Sequence, residues 1–268
     1  IRQKSATGKT LVELLQERDV VPGIKVDTGA KDLAGSPGEQ VTEGLDGLRE
    51  RLKDYYDLGA RFAKWRAVIN ITDKNPTDYC LAVNASAMGR YAKLCQERGI
   101  VPIIEPEVIM DGGHTLQRCY EVTEKTLQVF FAELNQQQVE LDGILLKPNM
   151  VIAGTTCPKQ ASVKEVADLT LKVLLNNVPA SVPGVVFLSG GQSDELATEH
   201  LNAMNAANKN LPWALSYSYG RALQAAAQKA WCGKKDNVRK AQDAFFHRAK
   251  CNSLAVAGEY SRSLENRL

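Results

Sequence analysis

The chain has 268 residues, of which 44% are hydrophobic and 24% are charged. This length and composition are typical of a globular protein that buries a sizeable core. Lysine and arginine exceed aspartate and glutamate by only two, 33 against 31, so we predict no binding to nucleic acid or to a membrane surface. Because the sequence has no apolar run of the roughly 20 residues that a membrane helix needs, and no secretory leader at its start, we expect a cytoplasmic protein.

Short apolar runs, several of them rich in β-branched residues, predict six strands. They cover residues 21–26, 60–69, 100–105, 143–147, 185–189 and 214–218. Segments with helical periodicity lie between them, and the ends of the first five strands recur about every 40 residues. This alternation predicts an α/β fold with a parallel sheet, either doubly wound or closed as a (β/α)8 TIM barrel. The regular step favours the barrel, with about six of its eight strands in this chain.

Cysteine and histidine spacing gives no sign of a disulfide framework or of a metal centre. The six cysteines lie far apart with no C-x-x-C pair, which is typical of reduced thiols in a chain of this size. We interpret His114, His200 and His247 as surface or helix-face residues, isolated from one another and from any cysteine at ligand spacing. We therefore predict no metal and no cofactor.

Four successive strands end in polar or charged residues two positions apart. The pairs are Lys25 and Asp27, Lys64 and Arg66, Glu105 and Glu107, and Lys147 and Asn149. Residues two apart on a strand point the same way, and the carboxyl ends of parallel strands meet at one rim. A single charged strand end is typical of a solvated loop, whereas four with the same spacing predict a site. A lysine among cations loses its proton more easily, and amines and carboxylates together relay protons.

The last two strands predict a phosphate site. Ser189, Gly190 and Gly191 precede one predicted helix, and Gly220 and Arg221 precede the next. Glycines let backbone N–H groups approach an anion at a helix N-terminus, and arginine binds phosphate through two hydrogen bonds. The residues alone thus predict a barrel enzyme that holds a phosphorylated carbonyl compound and attacks it with a lysine amine.

Six ordered segments closely resemble the class I fructose-bisphosphate aldolases. They read VPGIKVD at 21–27, ARFAKWR at 60–66, VPIIEPE at 101–107, LLKPNM at 145–150, FLSGGQS at 187–193 and SYGRAL at 218–223. The resemblance extends from about residue 3 to about residue 260. It implies one TIM-barrel domain over residues 1–268, a homotetramer, and cleavage of the sugar phosphate fructose 1,6-bisphosphate to dihydroxyacetone phosphate and glyceraldehyde 3-phosphate.

The resemblance also implies roles for single residues. Lys147 would form a Schiff base with the substrate, and Glu105 would be the general acid/base for carbinolamine conversion. Glu107 would support it, and Lys64 would contribute charge and proton handling during carbon–carbon cleavage. Lys25 and Arg66 would line the channel toward the second phosphate. The first phosphate would be bound by Ser189, Gly190, Gly220 and Arg221. No metal is implied, because the protonated Schiff base is itself the electron sink.

Two departures from the family leave alternatives open. Family members begin with two further strands, the first of which carries a catalytic aspartate, and end in a mobile tail that closes with a tyrosine. We therefore expect a truncated barrel at both ends. One alternative is an inactive barrel that acts as a binding or structural partner, with cytoskeletal filaments such as actin as the partner that the resemblance suggests. Another is a different phosphosugar barrel enzyme that uses a carboxylate base or another lysine.

Overall fold

The computed structural model describes residues 1–267, and its internal contacts divide the chain into two compact units. The first unit consists of Ile1–Glu107, Lys125–Leu146 and Ser181–Pro183. The second consists of Val108–Glu124, Lys147–Ala180 and the chain from Gly184 onward. The prediction of one domain over residues 1–268 stays a prediction.

Strands and helices alternate along the described chain. The strands are β1 (Gly23–Lys25), β2 (Gly29–Asp32), β3 (Gln40–Glu43), β4 (Phe62–Ile69), β5 (Val101–Val108), β6 (Leu145–Leu146), β7 (Gly184–Phe187) and β8 (Ala214–Tyr217). The α-helices are α1 (Leu11–Gln16), α2 (Leu48–Asp57), α3 (Asp78–Glu97), α4 (Leu116–Gln136), α5 (Val163–Asn177), α6 (Asp194–Ala207), α7 (Arg221–Trp231) and α8 (Val238–Ala257). Short 3-10 helices cover Leu141–Gly143, Lys235–Asn237 and Arg262–Arg267.

The first unit holds β1, β4, β5 and β6 side by side in that order. β1 and β4 run parallel with Lys25 opposite Lys64, and β5 and β6 run parallel with Ile104 opposite Leu146. In the second unit, β7 and β8 pair in parallel over four residues. Each of the six predicted strands is therefore present, and parallel strands alternating with helices confirm the predicted α/β class.

Strand β4 carries two charged side chains although most of the strand is buried. Ala63, Trp65 and Ala67 are buried, whereas Lys64 and Arg66 between them are only partly buried. This period-2 pattern places the two cations on one face and the apolar side chains on the other. On the apolar face, the ring of Trp65 packs 5.5 Å from that of Tyr91 in α3. The lysine and the arginine are thus held by a packed strand.

The structure corrects the position of two predicted strand ends. Lys64 and Arg66 lie in the middle of β4, and Glu105 and Glu107 lie inside β5, which continues to Val108. Neighbouring strands supply hydrogen bonds to the backbone of these residues, so a charged side chain does not end the strand. The side chains therefore project from regular sheet.

An antiparallel hairpin of β2 and β3 was not predicted. Its strands are short and polar, so they lack the apolar run that marks a buried strand. The hairpin lies against β4, where Thr42 Oγ1 donates a hydrogen bond to the carbonyl of Arg66 at 2.6 Å. It therefore helps to fix the backbone beside the charged face of β4.

Helix starts follow the sequence closely. Ser193, predicted to begin a helix, is the N-cap of α6, and its Oγ accepts a hydrogen bond from the backbone N–H of Leu196 at 3.2 Å. Asp194 and Glu195 follow in the first turn, where carboxylates stabilise the positive end of the helix dipole. Among the described residues, every helix is too short or too polar to span a bilayer.

Candidate active site

The first unit contains a lysine–carboxylate pair on adjacent strands. Lys64 Nζ lies 2.8 Å from Glu105 Oε2 and 3.9 Å from Asp27 Oδ2. Glu105 is only 3% exposed, and the Lys64 side chain is 20% exposed. An ion pair at this depth is stronger than one in water, because the surroundings screen it less. The pair therefore holds a donor and an acceptor of protons in fixed positions.

Asp27 links three neighbouring groups of this cluster. Its Oδ1 lies 2.5 Å from Lys25 Nζ and accepts a hydrogen bond from the backbone N–H of Gly29 at 3.1 Å. Its Oδ2 accepts from the backbone N–H of Arg66 at 3.3 Å. A buried carboxylate that accepts several hydrogen bonds has partners for its oxygens and is held in one position. The sequence placed Asp27 on the same strand face as Lys25, but its linking role was missed.

Arg66 and Glu107 form a further ion pair beside this cluster, with the guanidinium Nε donating to a carboxylate oxygen of Glu107. Burial opposes the charge on Arg66, but the hydrogen bond and the negative charge of Glu107 outweigh it, so the pKa of Arg66 is raised. Arg66 therefore stays a cation. The structure thus brings together the predicted site residues of the first unit, which are Lys25, Lys64, Arg66, Glu105 and Glu107.

Lys147, in the second unit, directly follows β6 and is partly buried. The residues after it are firmly held. The carbonyl of Pro148 accepts a hydrogen bond from the N–H of Leu188 at 3.2 Å. Asn149 Oδ1 accepts from the N–H of Val108 at 3.2 Å, and its Nδ2 donates to Thr123 Oγ1 at 3.0 Å. The backbone on the C-terminal side of Lys147 is therefore fixed, which restricts where its amine can reach.

The predicted phosphate residues also meet in the second unit. Gly190 and Gly191 have φ of 58° and 85°, values that glycine adopts without strain. A Cβ on Gly191 would lie 3.5 Å from Arg221 Nη2, so the guanidinium lies close against this turn. Gly220 precedes the first turn of α7, and Arg221 begins that helix. An exposed guanidinium, a glycine turn and a helix N-terminus together form a suitable anion site.

A buried histidine supports this turn. Gln192 Nε2 donates to the carbonyl of Ser189 at 2.9 Å, and Gln192 Oε1 lies 2.6 Å from His200 Nδ1. Since the glutamine oxygen accepts, His200 Nδ1 donates. Burial lowers the pKa of His200 to about 4, so the ring is neutral near pH 7. His200 was interpreted from the sequence as a surface or helix-face residue. It lies on a face of α6 but is buried, and no local pattern reveals its contact with Gln192, because that contact depends on how α6 packs.

One group of side chains outside these sites has the composition of a metal centre. His247, Cys251 and Glu265 each offer a ligand atom, and these atoms lie within 4.8 Å of one another. His247 and Cys251 are four residues apart on α8, so the prediction that no histidine lies at ligand spacing from a cysteine is wrong.

Comparison with known proteins identifies the family of the chain. The family model for "Fructose-bisphosphate aldolase class-I" matches residues 1–267. The chain is 56% identical to the "Probable fructose-bisphosphate aldolase class 1" of Xanthomonas axonopodis pv. citri, with 97% of this chain and 78% of the relative aligned. It is 52% identical to the "Fructose-bisphosphate aldolase, cytoplasmic isozyme 1" of Pisum sativum, with 96% of this chain and 72% of the relative aligned.

A solved structure is also similar. The fructose-bisphosphate aldolase of Plasmodium falciparum, in complex with TRAP and a small-molecule inhibitor, superposes with a TM-score of 0.95 at 47% identity. The match covers 97% of this chain and 75% of that one. It confirms the predicted fold class, the α/β fold of the TIM-barrel aldolases. With a family model matched over almost its whole length and several aldolases at more than half identity, this chain belongs to the class-I fructose-bisphosphate aldolase family.

Proposed function

We propose that this chain is an aldolase that reversibly cleaves fructose 1,6-bisphosphate to dihydroxyacetone phosphate and glyceraldehyde 3-phosphate. Family membership supports the reaction, and the buried Lys64–Glu105 pair is the structural observation that carries it. Schiff-base chemistry needs an amine, an acid/base for dehydration and a cation beside the reacting carbons. The chain supplies each of these from a residue that matches a family motif.

Lys147 is the nucleophile in this proposal. Its neutral amine attacks the ketone carbon, a carbon–nitrogen bond forms, and Glu105 donates the proton with which water leaves. The protonated Schiff base then accepts the electron pair as the bond between carbons 3 and 4 breaks. The Glu105 carboxylate takes up the proton of the 4-hydroxyl, and glyceraldehyde 3-phosphate leaves. Protonation and hydrolysis of the resulting enamine release dihydroxyacetone phosphate and restore Lys147.

The strand register of the first unit supports these roles. Ile104 of β5 is opposite Leu146 of β6, and Glu105 is the next residue of β5. Lys64, on the strand at the other side of β5, is paired with the same glutamate. Glu107 supports the acid/base by holding Arg66, and Lys64 contributes positive charge and proton handling during cleavage.

Two groups of residues bind the phosphates in this proposal. Ser189, Gly190, Gly220 and Arg221 hold the first, and the contact of Arg221 with the Gly191 turn supports this assignment. Lys25 and Arg66 attract the second phosphate. Their side chains are 51% and 41% exposed, so both cations can reach a ligand while remaining paired with carboxylates.

Assembly and location are inferred from the family. We propose a homotetramer, and a cytoplasmic location is supported by relatives named as cytosolic or cytoplasmic isozymes. The Plasmodium relative is in a complex with TRAP. A cytoskeletal partner of this chain remains a proposal.

Kinetic assays of the intact protein test the reaction. Glyceraldehyde 3-phosphate release is measured from fructose 1,6-bisphosphate, and interconversion of the triose phosphates is measured in parallel. We expect cleavage, and we expect Lys147→Arg to abolish it because a guanidinium cannot form a Schiff base. Lys164→Arg, on the exposed surface of α5, is the matched control. Triose interconversion without cleavage, or full cleavage by Lys147→Arg, would overturn the proposal.

A further inference from the structure

Helix α8 and the 3-10 helix Arg262–Arg267 bring three potential metal ligands together in the second unit. His247 and Cys251 are four residues apart on α8, so they lie one above the other on the same face. Glu265, from the 3-10 helix, lies against that face. Imidazole nitrogen, thiolate sulfur and carboxylate oxygen are the three ligand types that zinc uses in proteins.

Two of the three distances between the ligand atoms are close to those around a tetrahedral ion, and all three atoms lie within 4.8 Å of one another. His247 Nε2 is 3.1 Å from Glu265 Oε2 and 3.6 Å from Cys251 Sγ. Around a tetrahedral zinc, nitrogen, oxygen and sulfur ligands at their usual bond lengths are about 3.3 to 3.6 Å apart. His247 Nε2 lies near both Glu265 Oε2 and Cys251 Sγ. An ion placed between the three atoms would replace these two contacts with three metal–ligand bonds.

The three ligand side chains are mostly shielded from solvent, but a cavity gives access to two of them. Cys251 is 1% exposed, and the side chains of His247 and Glu265 are 14% and 15% exposed. A cavity of about 290 Å³ opens onto His247 and Cys251. Its other lining residues are Asp243, Phe246, Lys250, Leu254 and Leu264. This volume admits an ion and the water molecule that completes its coordination.

Neighbouring side chains orient the carboxylate. Arg248 Nη1 lies 2.6 Å from each oxygen of Glu265, and the hydroxyl of Tyr260 donates to Glu265 Oε1 at 2.7 Å. Such partners fix the geometry of a metal ligand. The charge of Arg248 opposes a nearby cation, but the thiolate and the carboxylate supply two negative charges against it. The two anionic ligands match the charge of a divalent ion, and the charge of Arg248 leaves the group with a net charge of +1.

We propose that His247, Cys251 and Glu265 form a zinc site, separate from the aldolase chemistry. On binding, the Cys251 thiol releases its proton to solvent and a sulfur–zinc bond forms. His247 binds through Nε2 with its proton on Nδ1, Glu265 binds through Oε2, and water is the fourth ligand. The ion ties the 3-10 helix to α8. Thiolate and imidazole favour zinc over magnesium or calcium.

Cobalt substitution tests the site directly. Chelator-treated intact protein is titrated with Co²⁺ while near-ultraviolet absorption is recorded, since a thiolate bound to Co²⁺ gives a charge-transfer band. We expect the band in the wild type, its loss on addition of Zn²⁺, and its absence in Cys251→Ser. Cys232→Ser, which removes the exposed cysteine, is the matched control and should keep the band.

A second variant keeps the test decisive if Cys251→Ser misfolds. His247→Gln retains the cysteine and should weaken zinc binding at least tenfold in a chelator competition, because it removes one of three protein ligands. The proposal is wrong if the wild type gives no band, if Cys251→Ser keeps it, or if His247→Gln binds zinc as tightly as the wild type.

Discussion

Lys64 Nζ lies 2.8 Å from Glu105 Oε2, and both residues belong to packed neighbouring strands and not to loops. Asp27 lies near the same amine at 3.9 Å. A cation held between two buried carboxylates can hand a proton to either or stabilise negative charge on a substrate. This relationship links the packing of β4 and β5 to the chemistry of the family.

Replacing Lys64 by glutamine tests that link. The amide keeps hydrogen-bonding capacity but removes the charge and the transferable proton. Because positioned acid–base groups contribute about 10²- to 10⁴-fold, we expect kcat for cleavage to fall by about that factor. Lys53→Gln, which removes an exposed helix lysine, should be unchanged in the same steady-state assay. Lys64→Gln activity within twofold of wild type would contradict the role.

Replacing Arg221 by alanine tests the phosphate site. A hydrogen bond to a charged group is worth about 1.5 to 3 kcal/mol, which corresponds to a roughly 10- to 150-fold rise in KM for fructose 1,6-bisphosphate. Inorganic phosphate should inhibit the variant correspondingly less. Arg239→Ala, whose side chain is 85% exposed on α8, is the control. An unchanged KM in Arg221→Ala would rule out this guanidinium as a phosphate ligand.

The stability of the folded chain should depend on His200 below neutral pH. The folded-state pKa of about 4 lies below the ordinary value of 6.5, so the unfolded chain takes up the proton first as the pH falls. Stability is therefore lost between about pH 6.5 and 4, on the order of 3 kcal/mol from this group.

Urea unfolding of wild type and His200→Gln across this range measures the effect. The free energy of unfolding should fall less steeply toward acid pH in the variant. His114→Gln, at a partly buried histidine, should change the slope less. Parallel curves for wild type and His200→Gln would show that His200 does not contribute to the acid sensitivity.

Glu39 is a second group whose ionisation stabilises the fold. It is 2% exposed and accepts hydrogen bonds from Ser36 and from the N–H and hydroxyl of Thr77, each of the latter at 2.6 Å. Burial raises its pKa, but these hydrogen bonds outweigh burial, so the pKa is lowered from 4.5. Its contribution is present above about pH 4.5 and is lost as the pH falls further.

Glu39→Gln should therefore lower the free energy of unfolding by about 1 to 3 kcal/mol at pH 7, and less at pH 3. Thermal and urea unfolding at both values measure the difference. Glu43→Gln, at an exposed end of β3, is the matched control and should have little effect. An equal loss at pH 3 and pH 7 would mean that the charge of Glu39 is unimportant.

Much of this fold follows from local sequence patterns. β-branched runs mark the strands, and the period-2 spacing of Lys64 with Arg66 correctly places both on one strand face. Their position along the strand was predicted less well. A charged residue looks like a strand end in the sequence, yet β4 and β5 continue through their charged residues because neighbouring strands supply the hydrogen bonds.

Contacts between distant segments could not be predicted. The hairpin of β2 and β3 lacks an apolar run, and the Gln192–His200 hydrogen bond depends on how α6 packs against the glycine turn. The approach of Glu265 to His247 likewise depends on where the last 3-10 helix lies. Only the four-residue spacing of His247 and Cys251 was visible in the sequence.

Borohydride trapping is the most direct test of the central claim. The intact protein is reduced in the presence of dihydroxyacetone phosphate, digested, and mapped by mass spectrometry. We expect one stable adduct on Lys147, blocked by Lys147→Arg and retained in Lys164→Arg. Labelling of another lysine, or none in a protein that cleaves the substrate, would contradict it.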